Sequence, residues 1–315
     1  MRRIKNIIFM GTPQFAVPTL KALVENKFIP KLVITQPDKE KGRGRKKSFS
    51  QVKEIAIEHN LRILQPEKIN TNSIRKKIQD INPDIIITAA YGKILGRKIL
   101  AIPRLGCINL HPSLLPKYRG PSPINWALFK GEKLTGNTVY FMNEQMDAGD
   151  IILQKKIPIL PTENYGSLIT KMSEEGANDV LKAISLIDTE YVRKISQDHS
   201  KASYTKLLDN NICRIDWTKS ALEINNLIRG LAPYPAAFSE LEGMKIKILT
   251  AQVIDAKKFN PGEIINVKKN IGFTVSTGSK SLLITEIKPQ GKRKMTAYSY
   301  SLGHALIGKK FDNAK

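Results

Sequence analysis

Cysteine is nearly missing from this chain of 315 residues: Cys107 and Cys213 are the only two. They are too few and too far apart for a disulfide framework or a thiolate zinc site, which fits a reducing compartment. Acidic side chains are also scarce, 28 against 51 Lys and Arg, leaving a net charge of +23. That balance fits a polyanionic partner, nucleic acid or an anionic membrane surface, or a lysine-rich bias of a whole proteome. No apolar run reaches the roughly 18 residues of a membrane-spanning helix. The apolar start is cut off by Gly11-Thr12-Pro13, too early for a secretory signal. It is read as a first strand, and the protein as soluble and cytoplasmic. Histidines number four; besides His111, His59, His199 and His304 have no Cys or carboxylate neighbours at ligand spacing, so no metal is expected.

What is present is a regular alternation. Ile/Val/Leu runs at 7–10, 32–35, 61–64, 84–88 and 107–111 interleave with helical patterns after Pro13, at 50–59 and at 72–79. Runs without polar alternation predict strands buried on both faces, and with helices between them a doubly wound, mainly parallel α/β sheet. Further strands are expected at 136–142 and 151–160, and a long helix at 164–186. Periodicity fails through a polar stretch ending near Leu208. Beyond it come a helix at 221–231 and short strands at 244–250, 263–267, 273–276 and 282–287, predicting a small β-barrel or sandwich. The expected division is a catalytic domain at 1–189, a linker at 190–208 and a C-terminal domain at 209–315.

Doubly wound sheets commonly bind nucleotides, yet Gly11-Thr12-Pro13-Gln14 has neither the G-x-G-x-x-G nor the G-x-x-x-x-G-K-[ST] spacing. The crevice beyond the carboxyl ends of the strands remains as the expected site. Asn109 and His111 share one face of their strand, and Pro112 ends that strand immediately after them. Asp147, in the turn Gln145-Met146-Asp147-Ala148-Gly149-Asp150, is a third candidate. The three suit acyl transfer without a covalent enzyme intermediate. The imidazole relays a proton, the carboxamide donates to an oxyanion, and the carboxylate fixes the imidazole tautomer and stabilises imidazolium. A serine nucleophile is not indicated, because Ser113 lacks the G-x-S-x-G context. Lys39-Glu40-Lys41-Gly42-Arg43-Gly44-Arg45-Lys46-Lys47 is either a solvated basic face or, on the crevice side, a loop that tracks a phosphate backbone.

Asn109-Leu110-His111-Pro112-Ser113-Leu114-Leu115-Pro116, with Tyr118-Arg119-Gly120 and then Asp147, resembles the N-x-H-x-SLLP…D signature of folate-dependent formyltransferases. Gly11-Thr12-Pro13, Thr35-Gln36-Pro37-Asp38, Gly42-Arg43-Gly44-Arg45, Ala90-Tyr91-Gly92 and Arg214-Ile215-Asp216-Trp217 resemble the branch of that family that formylates methionyl-tRNA. Pro121-Ser122 and Gln51 depart from its usual pattern. The resemblance implies formyl transfer from 10-formyltetrahydrofolate to the α-amino group of methionine on initiator tRNA, in translation initiation. It implies a C-terminal barrel resembling an OB-fold. It also implies a catalytic trio of Asn109, His111 and Asp147, and folate contacts from Ser113, Leu114, Leu115 and Pro116, with Tyr91 and Gly92 lining the pterin pocket. Lys41, Arg43, Arg45, Lys46 and Lys47 would meet the tRNA. No metal or membrane is implied, and a monomer is expected.

Overall fold

A computed structural model describes residues 3–41, 46–256 and 259–313. The chain gathers into two compact units: one comprises residues 1–120, 134–158 and 169–204, the other residues 121–133, 159–168 and 205–315. None of the described helices is long and apolar enough to cross a membrane.

The first unit starts with β1 (Ile7–Gly11), which leads through Gly11 into α1 (Val17–Glu25) and then β2 (Leu32–Ile34). The ends of the basic stretch, expected as loop, pair as a two-stranded antiparallel ribbon, β3 (Lys39–Lys41) with β4 (Lys46–Ser48), Lys41 opposite Lys46. Pairing gives the backbone of these two segments hydrogen-bond partners that a loop would have to find in water. Arg43 and Arg45 lie outside the described residues. Next come α2 (Gln51–Glu58), β5 (Ile63–Leu64), α3 (Asn72–Ile81), β6 (Ile85–Ala89), α4 (Arg97–Leu100) and β7 (Cys107–His111). Ser50 caps α2 by accepting from the Lys53 amide at 3.1 Å, and Gln51 stands at its first turn.

The helix α5 (Pro123–Phe129) follows, then β8 (Leu134–Phe141), β9 (Ile151–Pro158) and the long α6 (Tyr165–Asp188). Strand order is β5-β2-β1-β6-β7-β8-β9. The first five of these run parallel, whereas β8 pairs antiparallel with both β7 and β9. The chain leaves β1 toward β2 and β5 and returns to β6 on its other side, so the topological switch falls between β1 and β6. β1 and β6 are buried at every position, as continuous apolar runs require.

The polar stretch after α6 is ordered against the first unit. Ile195 bridges Ile151, Arg119 bridges Tyr204, and Gln197 is buried. Its packing uses polar side chains, which hydrophobic periodicity does not register.

In the second unit, α7 (Asn210–Cys213) and α8 (Ala221–Leu231) precede an antiparallel sheet of six strands. These are β10 (Ala237–Leu241), β11 (Met244–Ile254), β12 (Ile264–Lys268), β13 (Gly272–Ser276), β14 (Ser281–Pro289) and β15 (Met295–Thr296), with α9 (Ala297–Ser301) last. This is the expected small β domain, with two strands, β10 and β15, beyond those read from sequence. Ser220 and Glu223 form a reciprocal capping box at the start of α8. Trp217, fully buried, stacks on Phe311 at 5.2 Å between centroids and donates from Nε1 to Ser239 Oγ. α5 belongs to this unit although it lies between β7 and β8 in sequence. Asn125 Nδ2 donates to Gly230 O at 2.7 Å, and a Cβ at Gly230 would come within 2.5 Å of the Phe129 ring. Only glycine admits so close a packing of α5 on α8.

Asp84 ties the start of the chain to β6. Its carboxylate accepts from the backbone amides of Lys5 (2.6 Å) and Asn6 (2.9 Å) and from Arg104 Nε (2.7 Å). Burial alone would raise its pKa, but the Asn6 and Lys5 amides and the Arg104 guanidinium outweigh burial and hold it below the ordinary carboxylate value. A depressed folded pKa means stabilisation is complete above the unfolded value and lost as pH falls through the folded one. Asp84→Asn should therefore lower stability by about 1–3 kcal/mol at neutral pH in urea melts. The deficit should shrink below about pH 4, and an equal deficit across that range would mean the charge contributes nothing.

Candidate active site

The site grows from one cross-strand row. In the β6–β7 register Thr88 stands beside Asn109, and in the β7–β8 register Asn109 faces Tyr140. Neighbours in a row present side chains to the same sheet face. Thr88 Oγ1 donates to Asn109 Oδ1 at 2.6 Å, and Asn109 Nδ2 donates to the Tyr140 hydroxyl at 3.2 Å. The Tyr140 hydroxyl in turn donates to Asp147 Oδ1 at 2.7 Å. Burial, with the nearby Asp147 charge adding to it, pushes the Tyr140 phenol well above its ordinary pKa, so it stays a donor throughout the working range.

Asp147 sits in the β8–β9 connection with φ of 51°, in the left-handed region that Asp tolerates better than most residues. Its other oxygen, Oδ2, accepts from the Gly120 amide at 2.7 Å and lies 3.6 Å from His111 Nδ1. The connection is pinned from outside by Gln197 Nε2, which donates to the carbonyls of Asp147 (3.0 Å) and Gly149 (2.8 Å). Gln197 Oε1 accepts from the buried Arg119 guanidinium, whose NH2 lies 2.7 Å from it and 3.1 Å from His199 Nδ1.

The imidazole itself is held by the backbone. His111 Nε2 lies 2.9 Å from the Tyr118 carbonyl, which can only accept, so Nε2 carries the proton. In the neutral ring Nδ1 is then the basic nitrogen, and it faces Asp147. Sequence reasoning assigned the tautomer to Asp147. Here the Tyr118 carbonyl fixes it, and at 3.6 Å the carboxylate acts on the ring by its charge rather than as a hydrogen-bond acceptor. The His111 and Asp147 side chains are 6% and 15% exposed, a setting where such a charge is weakly screened.

Of the other expected residues, Ser113, Leu114, Leu115 and Pro116 follow His111 directly. Ser113 Oγ donates to Lys117 O, and Thr138 Oγ1 donates to Ser113 O, both within 2.7 Å. Gln154 Nε2 donates to Leu115 O at 2.9 Å, so β8 and β9 shape this segment. Tyr91 follows β6, but its ring packs into the apolar core with Ile8, Ile34 and Ile86, and burial pushes the phenol up to about 12. Its backbone faces elsewhere: Tyr91 O accepts from Gln36 Nε2 and Thr12 Oγ1. Gly92 has φ of 78°, and a Cβ there would meet Gln36 Nε2 at 2.5 Å. Sequence reasoning missed Thr88, Tyr140, Gln197 and the backbone groups of Tyr118 and Gly120. Only Tyr140 carried a signal, a hydroxyl-bearing ring set among the apolar Val139, Phe141 and Met142.

Residues 4–184 match the formyl transferase family and residues 208–305 the C-terminal domain of formyl transferases. The methionyl-tRNA formyltransferase of Acetivibrio thermocellus is 42% identical over 302 residues, covering 95% of this chain and 97% of the relative. That of Alkaliphilus oremlandii is 43% identical over 301 residues, with the same coverage of each chain. Among solved structures, HypX from Aquifex aeolicus in complex with tetrahydrofolic acid superposes with a TM-score of 0.65 at 15% identity, over 95% of this chain and 47% of that one. At that identity the likeness speaks for the fold.

The position of Asp147 depends on a close approach at Gly149, where a Cβ would come within 1.7 Å of the Phe141 carbonyl. Gly149→Ala should force the connection open and cost about 1–3 kcal/mol of stability by denaturant midpoint. It should also speed hydrogen exchange of the Gly120 amide, which loses its carboxylate acceptor. Unchanged exchange at Gly120 would show that the carboxylate is held independently of Gly149.

Proposed function

The chain belongs to the formyl transferase family, and we propose that it carries out methionyl-tRNA formylation with Asn109, His111 and Asp147 as its catalytic residues. It transfers a formyl group to the α-amino group of methionine on tRNA, the activity named in its curated relatives. The donor is 10-formyltetrahydrofolate, a co-substrate, and the acceptor is the initiator tRNA, in the cytoplasm, with the enzyme acting as a monomer. No metal takes part. The observation that carries this reading is the convergence of carboxamide, imidazole and carboxylate on one sheet face, with the phenol of Tyr140 between the first and the last.

The amine attacks the formyl carbon, forming the new C–N bond and a tetrahedral oxyanion. One Asn109 Nδ2 hydrogen is engaged with Tyr140, and the other is free to donate to that oxyanion. The proton lost by the amine passes to His111 Nδ1, which faces the Asp147 carboxylate at 3.6 Å. Collapse of the intermediate breaks the bond to the folate nitrogen, which takes the proton back from His111, leaving tetrahydrofolate and the formylated aminoacyl-tRNA. Ser113, Leu114, Leu115, Pro116 and Gly92 border the donor, with Tyr91 contributing its backbone.

For tRNA, the basic residues Lys41, Arg43, Arg45, Lys46 and Lys47 contact the acceptor end. The C-terminal domain (209–315) adds basic side chains on one sheet face. Lys247 is paired across β11 with Phe238 on one side and Lys288 on the other, beside the exposed Tyr234. Burial, then repulsion from Lys245 and Lys288, lowers the Lys247 pKa, a strain that a phosphate would relieve. Cations and rings together suit a nucleic-acid backbone.

His111→Ala should lower formylation of methionyl-tRNA by about 10²–10⁴-fold with tRNA binding retained. Full turnover in that variant would remove His111 from the mechanism. Replacing Arg43, Arg45, Lys46 and Lys47 with Ala should weaken tRNA binding and flatten its dependence on salt, by up to about 0.9 in logarithmic slope per lost phosphate contact. An unchanged slope would make the stretch a solvated face.

A further inference from the structure

Tyr140 is almost completely buried, at 2% exposure, in the middle of the site. It stands directly opposite Asn109, and its hydroxyl lies within hydrogen-bond distance of both Asn109 and Asp147. A phenol has one proton to give. The Asp147 carboxylate can only accept, so at 2.7 Å it claims that proton. The Tyr140 oxygen is then an acceptor toward Asn109, and the side of the Asn109 amide facing it must be the NH₂ group. Thr88 closes the same choice from the other side: its hydroxyl donates to Asn109 Oδ1 at 2.6 Å. A reversed amide would put its carbonyl against an oxygen whose proton is already committed, and would give up the 2.6 Å bond from Thr88, whose proton would turn to the Ile108 carbonyl at 3.1 Å. The alternative in which Tyr140 turns its proton to Asn109 strips Asp147 Oδ1 of a donor in a largely dry site.

Building on the functional reading above, we infer that Tyr140 is a positioning residue of formyl transfer, using the Asp147 charge to lock the Asn109 carboxamide with its NH₂ toward the reacting centre. Every donor in the series points the same way, from Thr88 through Asn109 and Tyr140 to Asp147. Polarisation along such a chain is cooperative, so the anionic end strengthens each bond upstream. The lock spares the reaction a reorientation of the amide as the oxyanion develops, which is the form that electrostatic preorganisation takes here. Tyr140 itself touches neither substrate. Its effect passes through Asn109.

Tyr140→Phe keeps the ring and removes the lock. It should lower kcat for formyl transfer about 10- to 100-fold, the equivalent of one hydrogen bond to a charged group, while leaving KM for tRNA and for the folate donor near the parent values. The ¹⁵N-labelled carboxamide of Asn109 should give two distinct, slowly exchanging proton signals in the parent enzyme and averaged or fast-exchanging ones in the variant. In an Asp147→Asn background, where the phenol's proton is no longer claimed by a charge, the same substitution should cost far less, a coupling that a double-mutant cycle reads directly. Thr88→Val opens the lock from its other end and should lower kcat with KM retained, so a poorly folding Tyr140 variant does not remove the test. Parent-like kcat with unchanged Asn109 signals, or equal costs in both backgrounds, overturns the inference and leaves the formyltransferase reading intact. A parent enzyme that does not formylate methionyl-tRNA overturns both.

Discussion

The Asp147 carboxylate is the constraint around which the site is arranged. Both of its oxygens are satisfied by neutral donors, the Gly120 amide and the Tyr140 hydroxyl, and the imidazole of His111 stands 3.6 Å away. A largely buried carboxylate without partners would be costly, and it would take up a proton instead. Two short hydrogen bonds from neutral groups satisfy its oxygens without the neutralisation that a cationic partner would bring. The anion can therefore still act on the ring of His111. The surrounding chain follows from holding that group in place: the left-handed backbone at Asp147, the close approach at Gly149, and Gln197 clamped between Arg119 and the carbonyls of the connection.

Strand direction explains why the connection needs such support. β7 ends at His111, and β8 runs back antiparallel, so its last residues lie beside the beginning of β7. The Met142 amide donates to Cys107 O. The connection to β9 thus starts at the far end of β7 from the imidazole and must double back over the sheet face to bring Asp147 to His111. Tyr140, two residues before the strand is left behind, spans part of that distance with its own side chain. Had the sheet remained parallel throughout, a crossover of a dozen or more residues would separate these strands. The antiparallel edge brings the two halves of the site together with few residues.

Much of this was legible in the sequence where burial is uniform and local. The Ile-rich runs of β1 and β6 predict doubly buried parallel strands, and Asn109 and His111 share a face because a strand repeats every two residues. What depends on pairing between distant segments was not legible. The partnership of Tyr140 with Asn109 rests on the register of two antiparallel strands, and no property of residues 134–141 alone encodes it. α5 reads locally as one more helix of the α/β pattern, yet Asn125 and Phe129 pack on Gly230 in the second unit. Residues 190–208 read as a linker because polarity suggests solvent. There the polar groups of Gln197 and His199 instead meet a buried arginine. The tautomer of His111 was assigned to the wrong partner for a similar reason: sequence patterns name side chains, and the group that holds Nε2 is a backbone carbonyl.

The geometry also divides the three polar groups by how many contacts hold each of them. The carboxamide of Asn109 and the carboxylate of Asp147 are linked through hydrogen bonds of 3.2 and 2.7 Å to one rigid aromatic side chain, itself buried between strands. His111 has a single hydrogen bond, to the Tyr118 carbonyl, and a charge at 3.6 Å. An oxyanion donor gains from being fixed before charge develops, since reorientation during the reaction adds to the barrier.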